Sequence, residues 1–247
     1  VTHIFRRPTA FVRSCASFPG NHPDFDKWGA AGFDTFCFKA HDPLIKEAIN
    51  ATVAAKKSWV ISVDYQGEST VDSFVNRVKS SRTATGAWAV TVELEWSGGL
   101  MPFEMQGPVM VALRKTLGPE LNAPLGVFAP PLKDSIDYGA IVDNGGFILV
   151  ECYGKTNDVV VPPKRCIGRI MTWYNEAAGR FQGVGARRII PIVSQGNAAY
   201  FVNQLTGTGT RGLWYWTADD DQGATDAARY KPLFGAQPIP EPLAWVA

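Results

Sequence analysis

Glu93 and Glu95 stand two residues apart at the end of an alternating apolar run, Trp88-Ala-Val-Thr-Val-Glu-Leu-Glu-Trp96. In a strand, residues i and i+2 share a face, so Thr91, Glu93 and Glu95 point one way and Val90, Val92 and Leu94 the other. The two carboxyl groups would lie about 6.6 Å apart along the strand, from roughly 3.3 Å of rise per residue. At that range one charge raises the pKa of the other, which favours a proton donor. Read without chemistry, the same run is a surface strand with a solvated acidic face.

Elements that would position such a pair recur along the chain. Eight short apolar or β-branched runs bounded by turn residues read as strands: Ala10 to Cys15, Phe33 to Lys39, Trp59 to Asp64, Trp88 to Glu95, Leu125 to Ala129, Phe147 to Cys152, Arg188 to Ser194 and Gly212 to Trp216. Between them lie segments of helical spacing. Pro43 to Lys57 carries one apolar stripe with Asp42 as its cap, and the segment with Val71, Phe74, Val75 and Val78 has Ser69 as its cap. A further helix is expected to begin near Pro108 and to run to Leu117, and others cover Pro163 to Ala178 and Ala224 to Phe234. Eight strand-then-helix units predict an α/β fold, a single (β/α)8 barrel over residues 1–235, with a proline-rich extended tail over 236–247. A doubly wound open sheet is disfavoured, because no Gly-x-Gly-x-x-Gly follows the first strand.

In such a barrel the carboxyl ends of the strands form one working face. Asp64 ends the third strand, Glu93 and Glu95 the fourth, and Glu151 the sixth, with Tyr153 two residues further on the same face. Lys39 ends the second strand and Ser194 or Gln195 the seventh, and Lys39 and Gln195 are expected to meet the substrate there. Taken singly, each acid reads as readily as a cap or salt-bridged loop residue. Four converging acids are costly unless paired or wet, so as a set they point to a site. Trp214 and Trp216 share a face of the last strand, and indole rings stack on the C–H surface of sugars. Trp96 extends the same wall. Tryptophans also serve as core filler, and the Asp219 to Asp221 run reads as a solvated loop or a helix cap.

Gly212-Leu-Trp-Tyr-Trp-Thr-Ala-Asp-Asp-Asp221 resembles the closing strand of family-eighteen chitinase-like barrels and, less closely, of family-twenty-five lysozymes. Glu93-Leu-Glu95 resembles the acid-x-Glu pair that those families carry at the end of strand four. The resemblance implies a glycoside-hydrolase-like barrel in which Glu95 is the general acid and Glu93 the neighbour that tunes it. It further implies Tyr153 as a hydrogen-bonding group and Trp216 as the sugar platform. The pattern departs from the chitinases, which have a longer aspartate series and a glycine before the pair. It also departs from large clan-A glycosidases, which place a nucleophilic Glu where this chain has Val193-Ser-Gln195. Related barrels occur in bacteriophage tail and tip proteins, some with eroded catalytic residues.

With the chemistry intact, neutral Glu95 would protonate the glycosidic oxygen, and Glu93, Asp64 or Glu151 would supply the second carboxylate. A pair about 5 Å apart gives retention, and roughly 6.5 to 9.5 Å gives inversion. The expected partner is a cell-wall or surface polysaccharide. The alternative is an inactive structural or glycan-binding barrel held among other subunits of a larger assembly such as a phage tail, its carboxylates locked to Lys39 or Arg13. A third reading is a metal-assisted hydrolase or isomerase using Asp64, Glu93, Glu95 and Glu151.

Composition narrows the field. Lys plus Arg total 24 against 23 acids, a net charge of +1, which makes no electrostatic case for nucleic acid or an anionic membrane. No apolar run is long enough to span a bilayer, and the chain reads as soluble and either virion-associated or extracellular in use. His3, His22 and His41 are the only histidines and no His-Glu-x-x-His occurs, so a zinc hydrolase is disfavoured. No Gly-x-Ser-x-Gly elbow and no P-loop is found, and no cofactor is called for. Cys15, Cys37, Cys152 and Cys166 form no Cys-x-x-Cys unit and are expected to be buried free thiols. Cys15 with Cys37 and Cys152 with Cys166 are the pairings left open.

Overall fold

A computed structural model describes residues 4–96, 99–121, 125–129, 136–144, 146–152, 155–156, 159–160, 162–168, 188–195, 198–210, 212–216 and 220–235. The expected tail, 236–247, and Tyr153 lie outside the described residues. Eight parallel strands close into a barrel: β1 Thr9–Val12, β2 Thr35–Lys39, β3 Ser58–Asp64, β4 Val90–Glu93, β5 Leu125–Ala129, β6 Phe147–Glu151, β7 Ile189–Val193 and β8 Trp214–Tyr215. Each strand pairs with its neighbours in sequence. Closure is made by β1 on β8, with Thr9 opposite Trp214 and Ala10 opposite Tyr215. Each of the eight expected runs contains one of the barrel strands.

Alternation along each strand separates two cores, as the period of two requires. One set of side chains, including Phe36, Phe38, Ile61, Val63, Val90, Val92, Ile148 and Val150, packs outward against the helices. The other set, including Phe11, Cys37, Val60, Ala89, Phe128, Leu149, Ile190, Ile192 and Trp214, fills the barrel. At the amino end the interior is stoppered by the 3-10 turn Ile4–Arg6, whose Phe5 lies edge-on to Phe147 at 5.6 Å and tilted against Trp214 at 5.9 Å. Filling is tight at Gly126. A Cβ there would come within 2.5 Å of Leu149 Cδ1 and 3.0 Å of Thr91 Cγ2, so only glycine fits β5 at that level.

The helices adjust the sequence expectations. Helix Ile45–Ala54 starts directly after Leu44, whose N–H is received by Asp42 at 2.8 Å. The other Asp42 carboxylate oxygen accepts the Cys15 N–H at 2.7 Å, so this acid ties two βα loops together just ahead of the helix, while the cap position is Leu44 and not the expected Asp42. Helix Val71–Thr85 is capped by Thr70, not by Ser69; the Thr70 hydroxyl accepts the Ser73 N–H. The helix expected from Pro108 to Leu117 spans Phe103–Leu121. Its start is set upstream by the Pro102 carbonyl, which accepts the Met105 N–H, and Pro108 costs it one backbone bond. Asp220 accepts from the N–H groups of Gln222 and Gly223, and Asp221 accepts from Asp24 N–H and Trp28 Nε1. Asp220 and Asp221 therefore brace the start of helix Gly223–Ala227 and fasten it to the first helix, while Asp219 lies outside the described residues. All four cysteines are buried and free. No described helix is long and apolar enough to cross a membrane.

Candidate functional site

Charge gathers at the carboxyl ends of β2, β3 and β4. Register sets this: Asp64 lies opposite Glu93, and Lys39 lies opposite Ser62, one inward position before Asp64. The Lys39 ammonium donates to Asp64 Oδ1 at 2.7 Å and to Glu93 Oε2. Side-chain exposure is only 11 % for Lys39 and Asp64 and 14 % for Glu93. His41, which sequence reasoning did not place in the site, brings Nδ1 to 3.6 Å from Asp64 Oδ2 and is itself 57 % exposed. Arg77 braces the cluster from the helix after β3, donating to the Asp64 backbone carbonyl and pairing with Glu68. Ser62 keeps a fully buried hydroxyl with no hydrogen-bond partner among the described residues.

The raised carboxyl is Glu93. Burial pushes it from 4.5 to about 8, opposed by the Lys39 charge and reinforced by the hydrogen bond and charge of Asp64. Burial pulls the Lys39 ammonium down, but Glu93 and Asp64 outweigh that and hold it above its ordinary range. Folded protein therefore keeps a proton on Glu93 that unfolded protein releases near 4.5. The native state binds more protons across that window, so the stability that this carboxyl contributes is fully present below about pH 4.5, declines as pH rises and is gone above about 8. Urea unfolding at intervals from pH 5 to 9 should show a decline on the order of a few kcal/mol. Glu93→Gln should flatten it, and an unchanged slope in that variant would assign the titration elsewhere.

Strand four differs from its expected form. The run Trp88 to Glu95 is not one strand: β4 ends at Glu93, the chain bends at buried Leu94, and Glu95–Trp96 pairs antiparallel with Gly99–Leu100. The straight-strand spacing of the two acids does not apply. Leu94 is drawn into the outer core, its carbonyl accepts the Met101 N–H at 2.7 Å, and Glu95 is carried on the hairpin opposite Leu100. Gln106, also missed in the sequence, holds this loop from below. Its amide donates to the Met101 carbonyl at 3.0 Å and its oxygen accepts the Asp137 N–H at 2.8 Å. Glu95 is half-buried.

The aromatic wall divides in two. Trp214 cannot be a sugar platform: it has no exposed surface, its indole N–H donates to the Phe5 carbonyl at 3.2 Å, and Phe128 packs edge-on to it at 5.7 Å. It is barrel filling. Trp216, two residues nearer the mouth, is half-buried and stacks on Phe11 with centroids 4.3 Å apart and planes 24° from parallel. Phe11 also lies under the Lys39 ammonium, 5.3 Å from its ring centre, so the charged cluster and Trp216 share one floor. Phe11 was legible only as an inward residue of β1.

Of the remaining candidates, Glu151 closes β6 in the inward register of Phe147 and Leu149 and is half-buried. Trp96 is described by its backbone alone, paired with Gly99. Gln195 is exposed two residues past β7, while Ser194 is half-buried and its carbonyl accepts from the Tyr230 hydroxyl. Among the described residues, no three His, Cys, Asp or Glu side chains are grouped to hold a metal ion. Asp64 and Glu93 already hold a cation, the Lys39 ammonium, so the metal-assisted reading gains nothing from them.

No family model and no curated protein sequence matches the chain. Solved structures do match in shape. The catalytic domain of a hyperthermophilic chitinase from Pyrococcus furiosus superposes with a TM-score of 0.65 at 10 % identity, over 96 % of this chain and 98 % of that one. A family GH18 chitinase from Chromobacterium violaceum gives 0.59 at 16 % identity, over 94 % and 84 %. The BexX/CysO complex of Amycolatopsis orientalis gives 0.59 at 14 % identity, over 97 % and 96 %. At such identities the likeness is one of fold, and the site must be argued from its own residues.

Proposed function

We propose that this barrel is glycan-directed, a glycoside-hydrolase-like domain that acts on or binds a cell-wall or surface polysaccharide at the carboxyl end of its strands. The observation that carries this reading is the shared floor. Stacked Trp216 and Phe11 lie beside the inward acids of β3 and β4, with Glu95 on the hairpin directly after them. An aromatic surface takes the apolar face of a pyranose, and carboxyl groups around it take hydroxyls or move a proton. The chitinase barrels of like shape support the choice of sugar over other small polar ligands. In this reading Glu95 donates the proton, and Trp216 positions the ring.

A second reading is favoured by one specific feature. Asp64 and Glu93 are bound to Lys39, the arrangement expected of a barrel that binds glycan without cleaving it or serves as a structural part of a larger assembly such as a phage tail. Incubation with peptidoglycan, chitin and arabinogalactan-type polymers, followed by measurement of reducing ends, separates the two. Product release supports the hydrolase. Binding without product supports a glycan-binding barrel, and neither binding nor product with any polymer removes both glycan readings and leaves the structural part.

A further inference from the structure

Sequence reasoning treats Lys39 as a group that meets substrate. Its surroundings give it a different task. Lys39, Asp64 and Glu93 come from three successive strands, and the two acids are opposite one another in register. One ammonium reaches both of them. Fully ionised, the three groups carry one net negative charge in a place where each side chain is nearly covered. Two such carboxylates repel strongly, and removing their counterion leaves charge buried without compensation. For a sugar to use Lys39 directly, it would have to take the ammonium from a charge-assisted bond already made at short range.

We propose that Lys39 is a positioning residue: its ammonium clamps Asp64 and Glu93 into one charge-compensated unit at the base of the mouth, tying β2, β3 and β4 together there. The acids then act as a fixed base for the site. Among the described residues, other ionisable groups around the unit are few. They are Cys37 on β2, His41 against Asp64, Tyr65 after β3, Arg77 at the Asp64 backbone, and Glu95 beyond Glu93. Among the described residues, the Lys39 ammonium is the cation that touches both carboxyl groups. The placement of this unit under a sugar site rests on the reading above, whereas the clamp itself does not.

The test uses the full chain, with urea unfolding followed at pH 5 and pH 9. Lys39→Met should raise the unfolding equilibrium constant roughly 10²- to 10³-fold at pH 9. The effect should be smaller at pH 5, where the acids can take up protons instead. Lys39→Arg should retain most of the stability. The triple variant Lys39→Met, Asp64→Asn, Glu93→Gln should recover most of the loss, because no charge is left to compensate. If Lys39→Met fails to fold, recovery of folded protein by the triple variant is the same result. An equal loss at both pH values, with no recovery in the triple variant, would make Lys39 a packing residue and overturn the proposal. So would unchanged stability in Lys39→Met together with weakened retention on chitin or peptidoglycan, which would make it a ligand. If the wild type binds no polymer, the glycan reading fails while the stability result still decides the clamp.

Discussion

Glu95→Gln is expected to lower the release of reducing ends by about 10²- to 10⁴-fold, the usual worth of a positioned general acid. The substitution is isosteric and keeps a hydrogen-bonding head group, so only the transferable proton is removed. Its backbone position is held by the hairpin with Leu100, by the Leu94–Met101 bond and, through Met101, by Gln106. These do not depend on the carboxyl. Urea unfolding of the variant checks that a loss of product reflects the missing proton and not an unfolded chain. Equal product from both proteins would take Glu95 out of the mechanism.

Trp214→Ala should have the largest effect on stability among single changes in the barrel interior, about 3–5 kcal/mol by urea unfolding. The indole is fully buried between Phe5 and Phe128, and the void left by its removal is ringed by strands that cannot close inward. The Phe5 carbonyl would also lose its donor, which adds the cost of an unpaired buried acceptor. Because Phe5 belongs to the turn that stoppers the barrel, the amino-terminal segment should loosen as well, visible as faster amide exchange around Ile4–Arg6. A loss below about 1 kcal/mol would mean that the interior repacks and that Trp214 does not hold the stopper.

These two residues also show what a sequence can and cannot disclose. The barrel was readable because its two periods differ. Leu125–Ala129 stands out as a short apolar run between turns, and the stripe on Ile45–Ala54 repeats with the helical period. Strand parity likewise puts Lys39, Asp64 and Glu93 on the inner face, because alternation is local. Depth and register are not local. Trp214 and Trp216 share a face of one strand, and only the Phe5 stopper decides that the first is core while the second reaches the mouth. The ion cluster depends on Asp64 facing Glu93 across two strands separated by a helix. The break at Leu94 depends on Gly99–Leu100 folding back to pair, which alternation within Trp88–Trp96 does not reveal. His41 and Gln106 had no signal beyond their nearness in sequence to Lys39 and Met101.

Retention on insoluble chitin and peptidoglycan tests the central claim most directly, with wild type and Trp216→Ala sedimented side by side after both are shown to be folded. The expected result is depletion of the wild type from the supernatant by at least one polymer and roughly tenfold weaker retention of Trp216→Ala, the worth of one aromatic stack. Equal retention of the two proteins, or none of the wild type on any glycan, would contradict a sugar site at this mouth.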